Sequence, residues 1–332
     1  MLNRLKRGPM SEKMDWLSRL LDLMPVRGHL DLRCFYGAPW RIDQAATRAG
    51  EIQYHLVLGG TATLEEPDGG ARRLVAGDIL LFPHRASHVL HDGSGAPAMP
   101  PRNLARPSLT ISENDGTGDR LEMLCGRFVL TPPQDRLLQA YLPPRLVVRA
   151  TDNSADAARP GTAAQLAALV SLMRVESALD NLGGRAMLNA LSTALFALAL
   201  RLGSETADAP TGLLALAGHP RLAPALAAMF HEPARAWTLP ELARLCHMSR
   251  ATIARRFQES LGRSASDLLT DIRMTLAAGE LRKPSISTGA AAETVGYQSE
   301  AAFQRAFKQR MGMTPAQWRR AARRQVRDLP SD

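Results

Sequence analysis

The most reactive side chains in this 332-residue sequence are three cysteines, Cys34, Cys125 and Cys246. None belongs to a C-x-x-C pair and their number is odd, so they spell neither a disulfide framework nor a cysteine zinc site. The pattern suits a reduced, cytoplasmic setting in which any disulfide is transient and regulatory. A thiolate is the nucleophilic form of cysteine, and nearby positive charge favours it. Arg33 adjoins Cys34, and Arg127 lies two residues from Cys125. From the residues alone two readings stay open: Cys34 and Cys125 react, or they are small buried hydrophobes. Cys246 falls at an apolar helical position and reads as core. Three histidines, His55, His88 and His91, are the candidate metal ligands, since three imidazoles can suffice. No full ligand set accompanies them: position 57 is Val, and Glu65 comes too late. A wall-lining or surface role is therefore the favoured reading, with no metal and no other cofactor expected. No general acid/base pair, nucleophile triad or phosphate loop is visible, so the chain is not read as an enzyme.

A second group of polar residues is set out by an internal repeat. Ser249, Ile253, Arg255, Phe257 and Gly262 recur fifty positions later as Ser299, Phe303, Arg305, Phe307 and Gly312. Each copy reads as helix, tight turn, helix. Thr238-x-x-Glu241 is a capping box, and Ser249 and Ser299 are N-caps of the second helices. Gly296 suits a left-handed turn, and His247 tolerates one. Ile253 and Phe257, or Phe303 and Phe307, form a buried stripe. Arg250, Arg255 and Arg256, or Glu300, Gln304 and Arg305, lie on the opposite face. A helix apolar on one side and polar on the other, led in by a tight turn, is shaped to enter a major groove. Between the copies, the stripe Leu268, Leu269, Ile272, Leu276 and Leu281 predicts a helix over Ser264 to Lys283, about 28 Å long. Charge agrees: the chain carries a formal +9, and from Arg221 onward 18 Lys+Arg face 10 Asp+Glu, a net +8 that leaves +1 for the first 220 residues. A basic segment joined to a near-neutral one calls for a polyanionic partner.

The texts "WTLPELARLCHMSRATIARRFQESLG" and "VGYQSEAAFQRAFKQRMGMTP" closely resemble the DNA-binding part of the AraC/XylS family of transcription regulators, over about Pro220 to Arg324. The resemblance implies base-edge contacts from Arg250, Ala251, Ala254 and Arg255 in the first unit. In the second it implies Glu300, Ala301, Gln304 and Arg305. It also implies double-stranded promoter DNA and RNA polymerase as partners. Ala251 and Ala254 stand where relatives often carry larger side chains, so readout by the first unit would lean on Arg255.

The preceding residues must supply the other half. Residues Asp15 to Leu23 form a short amphipathic helix by pattern. Short apolar runs then alternate with turn signals: Ile52 to Leu58, Thr61 to Leu64, Arg72 to Val75 and Ile79 to Phe82, with Gly-rich breaks between them. Such spacing predicts an all-β sandwich or barrel. Gly93 to Gly118, rich in Gly, Pro, Ser and Asn, is predicted to be a flexible loop, and Leu121 to Leu130 a further strand. Helices follow over Ala163 to Leu179 and Arg185 to Leu202, then a polar loop, Gly203 to Thr211. The second helix is apolar nearly all round, so it must pack against the first domain or a second copy of the chain. Its polar interruptions, Asn189, Ser192, Thr193 and Arg201, argue against a membrane span.

Gly77-Asp78 through Pro83 to His88 resembles the second motif of a cupin barrel, while the first motif is reduced to His55 and Gly59-Gly60. "MDWLSRLLDLMP", "LRCFYGAPWRI", "YHLVLGGTATLE", "GDILLFPHRASHVL" and "LEMLCGRFVL" resemble the cupin-type sensor half of AraC-family regulators, in particular of oxidant-responsive members. In those, cysteine oxidation in the cupin half is the signal, and the resemblance maps the two sensor cysteines onto Cys34 and Cys125. The insertion Ala96 to Gly118 departs from that pattern. The expected fold is α+β: a cupin-like β-barrel over residues 10–150, a helical linker and homodimerisation segment over 160–215, and an all-α double helix-turn-helix domain over 220–326. The expected function is a sequence-specific DNA-binding regulator, an activator, that responds to oxidants such as reactive chlorine species. A small-molecule ligand in the barrel is the alternative, and a cupin metalloenzyme fused to a DNA-binding module is the third reading.

Overall fold

The structure is a computed structural model. It describes residues 15–131, 135–150, 161–205 and 211–327, with side chains to residue 322. Residues 10–14 of the expected first domain, and 206–210 of the expected polar loop, lie outside them. In chain order the elements are α1 (Trp16–Leu23), β1 (Val26–Gly37), β2 (Arg41–Gln44), β3 (Glu51–Gly59), β4 (Thr61–Glu65), β5 (Ala71–Val75), β6 (Asp78–Phe82), β7 (His88–His91), β8 (Arg102–Ala105), β9 (Thr110–Glu113) and β10 (Arg120–Leu130). Then come α2 (Asp135–Tyr141), β11 (Leu146–Arg149), α3 (Thr162–Glu176), α4 (Gly184–Glu205), α5 (Leu213–Gly218), α6 (Ala223–His231) and α7 (Leu239–Leu245). The chain ends in α8 (Arg250–Leu261), α9 (Ala265–Glu280), α10 (Thr288–Thr294), α11 (Glu300–Met311) and α12 (Pro315–Arg327). These elements group into two compact units. Among the described residues, one takes in those of Met24–Pro220 with Ala254–Ser264; the other takes in 15–23, Arg221–Ile253 and 265–327.

In the strand-rich unit the alternation of apolar residues builds two sheets. Seven strands run in the order β11-β6-β3-β10-β1-β9-β8, and four in the order β2-β7-β4-β5. Hydrogen bonds do not close them into one barrel. They pack as a sandwich, and the core between them draws Cys34, Val57, Phe82 and Met123 from one sheet and Ala62, Leu64, Leu74 and Leu90 from the other. The expected flexible loop over Gly93 to Gly118 is a correction: it contains β8 and β9. The Thr110–Glu113 segment lies parallel to β1, with Leu32 opposite Thr110 and Cys34 opposite Ser112, and β8 covers its outer edge. Gly and Pro set the turns of this insertion, while β1 offers an unpaired edge that four residues suffice to occupy.

Helix α4 reaches 22 residues and is long and apolar enough to cross a membrane. Here it is the core helix of the sandwich unit, seated on β1. The Gly28 N–H donates to Thr193 Oγ1 at 2.8 Å, the Leu30 N–H to Asn189 Oδ1 at 3.3 Å, and Tyr54 and Ser192 share a hydroxyl hydrogen bond of 2.8 Å. Three of the polar residues that interrupt its apolar sequence, Asn189, Ser192 and Thr193, thus fix it to the sheet, while Arg201 donates to Gln165 of α3. A Cβ at Gly28 would lie 2.4 Å from the Thr193 nitrogen, so the close approach needs glycine there.

The helical unit holds α1 against α6 and α9, and α9 against α10 and α11. Helix α9 has 16 residues, about 24 Å. It stops at Glu280, about one turn before the sequence-based boundary, because the chain turns at Arg282 and Lys283 ahead of Pro284. Around its C-terminal half Met274, Ala277, Leu281, Ala291, Phe303, Phe307 and Trp318 form one buried cluster, closed by a hydrogen bond from Trp318 Nε1 to the Ala278 carbonyl of 3.0 Å.

Candidate functional site

Each repeat unit is assembled from local rules. Thr238 caps α7, with its hydroxyl accepting from the Glu241 N–H and its own N–H donating to Glu241. Those Thr238 bonds, with Arg235, hold the Glu241 carboxyl down at about 2. His247 takes the left-handed turn at φ 49° and Gly296 at φ 82°. The Thr252 N–H donates to Ser249 Oγ at 3.1 Å, and the Ala302 N–H to Ser299 Oγ at 3.4 Å, so both second helices start on a serine cap. Gly262 and Gly312 end them in the same left-handed conformation, at φ 65° and 74°. Ile253, Phe257, Phe303 and Phe307 are fully buried.

Arg250, Ala251, Ala254, Arg255, Glu300, Ala301, Gln304 and Arg305 are all exposed. Arg255 pairs with Glu259 at 2.9 Å, one helical turn on, and Gln304 donates to Glu300 at 2.9 Å. Exposed i,i+4 pairs of this kind are worth about 0.3–0.5 kcal/mol, a small cost to release onto a base edge.

The second site lies inside the sandwich. Register places it: Cys125 of β10 sits opposite Leu32 of β1 on one side and opposite His55 of β3 on the other. Cys34, two residues beyond Leu32, therefore shares the face of Cys125 on the diagonal. The two sulfurs are 3.9 Å apart, although 91 residues separate them in sequence. His55 Nδ1 lies 3.0 Å from Cys125 Sγ, and its Nε2 lies 2.8 Å from His88 Nε2. His88 stacks on Phe82 and turns its Nδ1 to the Ala86 carbonyl at 3.2 Å. Burial pushes His55 down to about 3, with the His88 ring adding to the effect, and pushes His88 down to about 4. Both rings are therefore neutral at pH 7. The Cys125 S–H beside it pulls the Cys34 thiol down, while Cys34 and burial push Cys125 up. A cavity of about 680 Å³ is lined by Cys34, Tyr36, His55 and Cys125 among others.

The three candidate metal ligands do not come together, and the expectation that arginines flank the thiols is corrected. His91 does not join His55 and His88. It lies on the other face of β7 from His88, its Nδ1 accepts from the Gly93 N–H, and among the described residues no three metal-binding side chains converge. The arginines near the cysteines are turned elsewhere. Arg33, one residue from Cys34, is on the opposite face of β1, where it donates to Glu122 at 2.5 Å and to the Arg174 carbonyl and Ser177 Oγ at 3.0 Å. Arg127 is held by Asp31 at 2.7 Å. Cys246 is buried at the end of α7.

A cupin-like sandwich carrying a repeated, serine-capped helix-turn-helix with basic outer faces defines a DNA-binding transcription regulator. Residues 15–203 match the family described as Cupin, and residues 242–321 match the helix-turn-helix domain family. An uncharacterized HTH-type transcriptional regulator of Haemophilus influenzae is 32% identical over 311 residues, covering 93% of this chain and 99% of that protein. The RCS-specific HTH-type transcriptional activator RclR of Escherichia coli is 29% identical, covering 93% and 99%. A putative AraC-like transcription regulator of Streptomyces antibioticus is 31% identical, covering 92% and 99%. The chain belongs to the AraC-type transcription regulators with a cupin domain.

Proposed function

We propose that this regulator is a transcription activator switched by oxidation of Cys34 and Cys125 in its cupin unit, with a reactive chlorine species such as hypochlorous acid as the oxidant. The observation that carries the reading is the 3.9 Å separation of the two sulfurs beside a cavity. A disulfide needs about 2.05 Å, so the sulfurs have about 2 Å to close. Strand β1, which carries Cys34, also anchors α4 through Gly28 and Leu30 and the end of α3 through Arg33. Pulling β1 toward β10 thus strains the helices that lead toward the DNA-binding part. That the relative RclR is named an RCS-specific activator supports the choice of oxidant. Residues 220–326 then bind promoter DNA, with Arg250, Ala251, Ala254 and Arg255 and Glu300, Ala301, Gln304 and Arg305 at the bases. RNA polymerase is the partner of the activated form. The apolar side chains exposed on and between α3 and α4, among them Val175, Leu179, Leu182 and Met187, offer a homodimer surface.

The test is promoter binding and transcription in vitro with reduced and hypochlorous-acid-treated protein. Wild type forms an intramolecular Cys34–Cys125 disulfide and changes its transcriptional output. Cys34→Ser loses the response and keeps reduced-state DNA binding, and Cys246→Ser keeps both. A second reading, a small molecule held in the 680 Å³ cavity, takes over if a variant lacking both Cys34 and Cys125 still responds fully to the oxidant.

A further inference from the structure

The buried histidine pair is wired to one sulfur and not the other. His88 Nδ1 faces the Ala86 carbonyl, which can only accept, so that nitrogen carries the hydrogen of the neutral ring. His88 Nε2 is then a bare lone pair, and the nitrogen 2.8 Å away, His55 Nε2, must be the donor. His55 Nδ1 is left as an acceptor, pointing at Cys125 Sγ from 3.0 Å. The Cys125 S–H consequently has two acceptors, Cys34 Sγ on one side and His55 Nδ1 on the other. Cys34 has no imidazole among its hydrogen-bond partners.

We infer that His55, backed by His88, is the base that takes the proton from Cys125, which makes Cys125 the resolving thiol and Cys34 the thiol that meets the oxidant. The inference rests on the redox reading above and divides its two steps. In the first, the Cys125 S–H donates to Cys34 and stabilises its thiolate. The Cys34 thiolate sulfur, its proton already given to water, attacks the chlorine of hypochlorous acid, the O–Cl bond breaks toward oxygen, and the hydroxide that leaves combines with that proton as water. Cys34 is now a sulfenyl chloride and no longer an acceptor for Cys125. In the second, the Cys125 proton passes to His55 Nδ1 while its sulfur attacks Cys34. The S–S bond forms, the S–Cl bond breaks, and chloride leaves. As His55 gains a hydrogen at Nδ1 it gives up the one at Nε2 to His88, so it changes tautomer without staying charged. This matters because His55 is 1% exposed and a cation is costly there. The positive charge ends on His88, which is 7% exposed and whose depressed affinity returns the proton to water. In sum, two thiols and one hypochlorous acid give a disulfide, water, chloride and a proton, with two electrons passing from sulfur to chlorine.

The experiment treats full-length protein with one equivalent of hypochlorous acid, quenches it rapidly, and follows each cysteine by alkylation and mass spectrometry. In wild type, Cys34 is lost first and the disulfide follows. In His55→Gln the loss of Cys34 keeps its rate, the disulfide forms about a hundredfold more slowly, and water displaces chloride from the waiting sulfenyl chloride, so that Cys34 sulfenic acid accumulates and is trapped by dimedone. His88→Gln, which leaves His55 in place without its proton acceptor, slows the same step. Wild type itself shows a slower second step, and not a slower first one, in heavy water, a readout that needs no variant to fold. A wild-type disulfide rate in both variants, first modification at Cys125, or no solvent isotope effect on the second step overturns the inference. If wild type forms no Cys34–Cys125 disulfide, the parent reading fails with it. If the disulfide forms by these steps without changing transcription, only the parent reading fails.

Discussion

A Cβ placed on Gly296 would stand 2.0 Å from the carbonyl oxygen of Ala234, and that carbonyl cannot retreat. Arg273 of α9 donates to the Pro233, Ala234 and Arg235 carbonyls, at 2.6, 3.3 and 2.9 Å, and fixes the stretch in place. Gly296 is also left-handed, at φ 82°. Gly296→Ala therefore meets both a backbone clash and a conformational penalty. Gly262→Ala meets only the penalty, since nothing lies within 4 Å of its added carbon. Denaturant unfolding should show Gly262→Ala losing about 1–2 kcal/mol and Gly296→Ala losing clearly more. Equal losses would mean that the Ala234 contact yields freely.

Arg255 and Arg305 hold matching places fifty residues apart, both exposed on helices begun by a serine cap. If both reach base edges, each change to alanine weakens specific promoter binding by about 1–3 kcal/mol. Binding to unrelated DNA should fall much less. Titrations at one salt concentration on promoter and scrambled duplexes measure the difference. A loss that is uniform across sequences would put these arginines on phosphates.

Arg33 ties β1 to β10 and to the end of α3, and its side chain is 8% exposed against 13% for its partner Glu122. Removing one member of such a pair strands the other. Glu122 keeps Arg174 at 2.5 Å, which softens the loss. Arg33→Met should cost about 3 kcal/mol, the low end for a broken buried pair. The double change Arg33→Met with Glu122→Met should recover part of it. Melting or urea curves for the single and double variants close the cycle, and additive losses would show that the pair is not coupled.

The two halves of the molecule were unequally legible in the sequence. The helix-turn-helix repeat is written in local chemistry: caps at Ser249 and Ser299, a left-handed Gly296, apolar residues at helical spacing. Each of these acts within a few residues, so the text alone locates them. The thiol site is written in register. Cys34, His55 and Cys125 come from three strands of one sheet, and only pairing Leu32 with Cys125 and Cys125 with His55 brings them to one face, where His88 meets them from the opposing sheet. Sequence proximity misled in the same region: Arg33 is next to Cys34, but alternation along β1 sends the two side chains to opposite faces. The signal for the His55–Cys125 contact was present, as a buried-strand pattern in which both residues fall on the inward phase, but it names no partner. The strands β8 and β9 were hidden by their Gly- and Pro-rich surroundings.

The neutral histidine pair makes stability depend on pH in a definite direction. Burial lowers His55 to about 3 and His88 to about 4 from an ordinary 6.5, and the charge of Arg145 adds to the lowering of His88. Near the pair, the Cys34 contact and burial push the Cys125 thiol up, and burial pushes the Tyr36 hydroxyl far up, both away from this window. Below pH ~6.5 the unfolded chain takes up protons at both histidines, while the folded chain refuses them. The stability due to the neutral pair is thus complete above pH ~6.5 and is lost as pH falls toward about 4 for His88 and about 3 for His55. Each histidine contributes a slope of up to about 1.4 kcal/mol per pH unit. Urea unfolding of the reduced protein between pH ~7.5 and ~5.5, above the main carboxylate range, should show stability falling with acid. The double variant His55→Gln with His88→Gln should be less stable at pH 7 and flatter across the window. An unchanged slope in that variant would place the acid sensitivity elsewhere and would mean that the two rings are charged in the folded state, which would also remove the lone pair that His55 offers to Cys125.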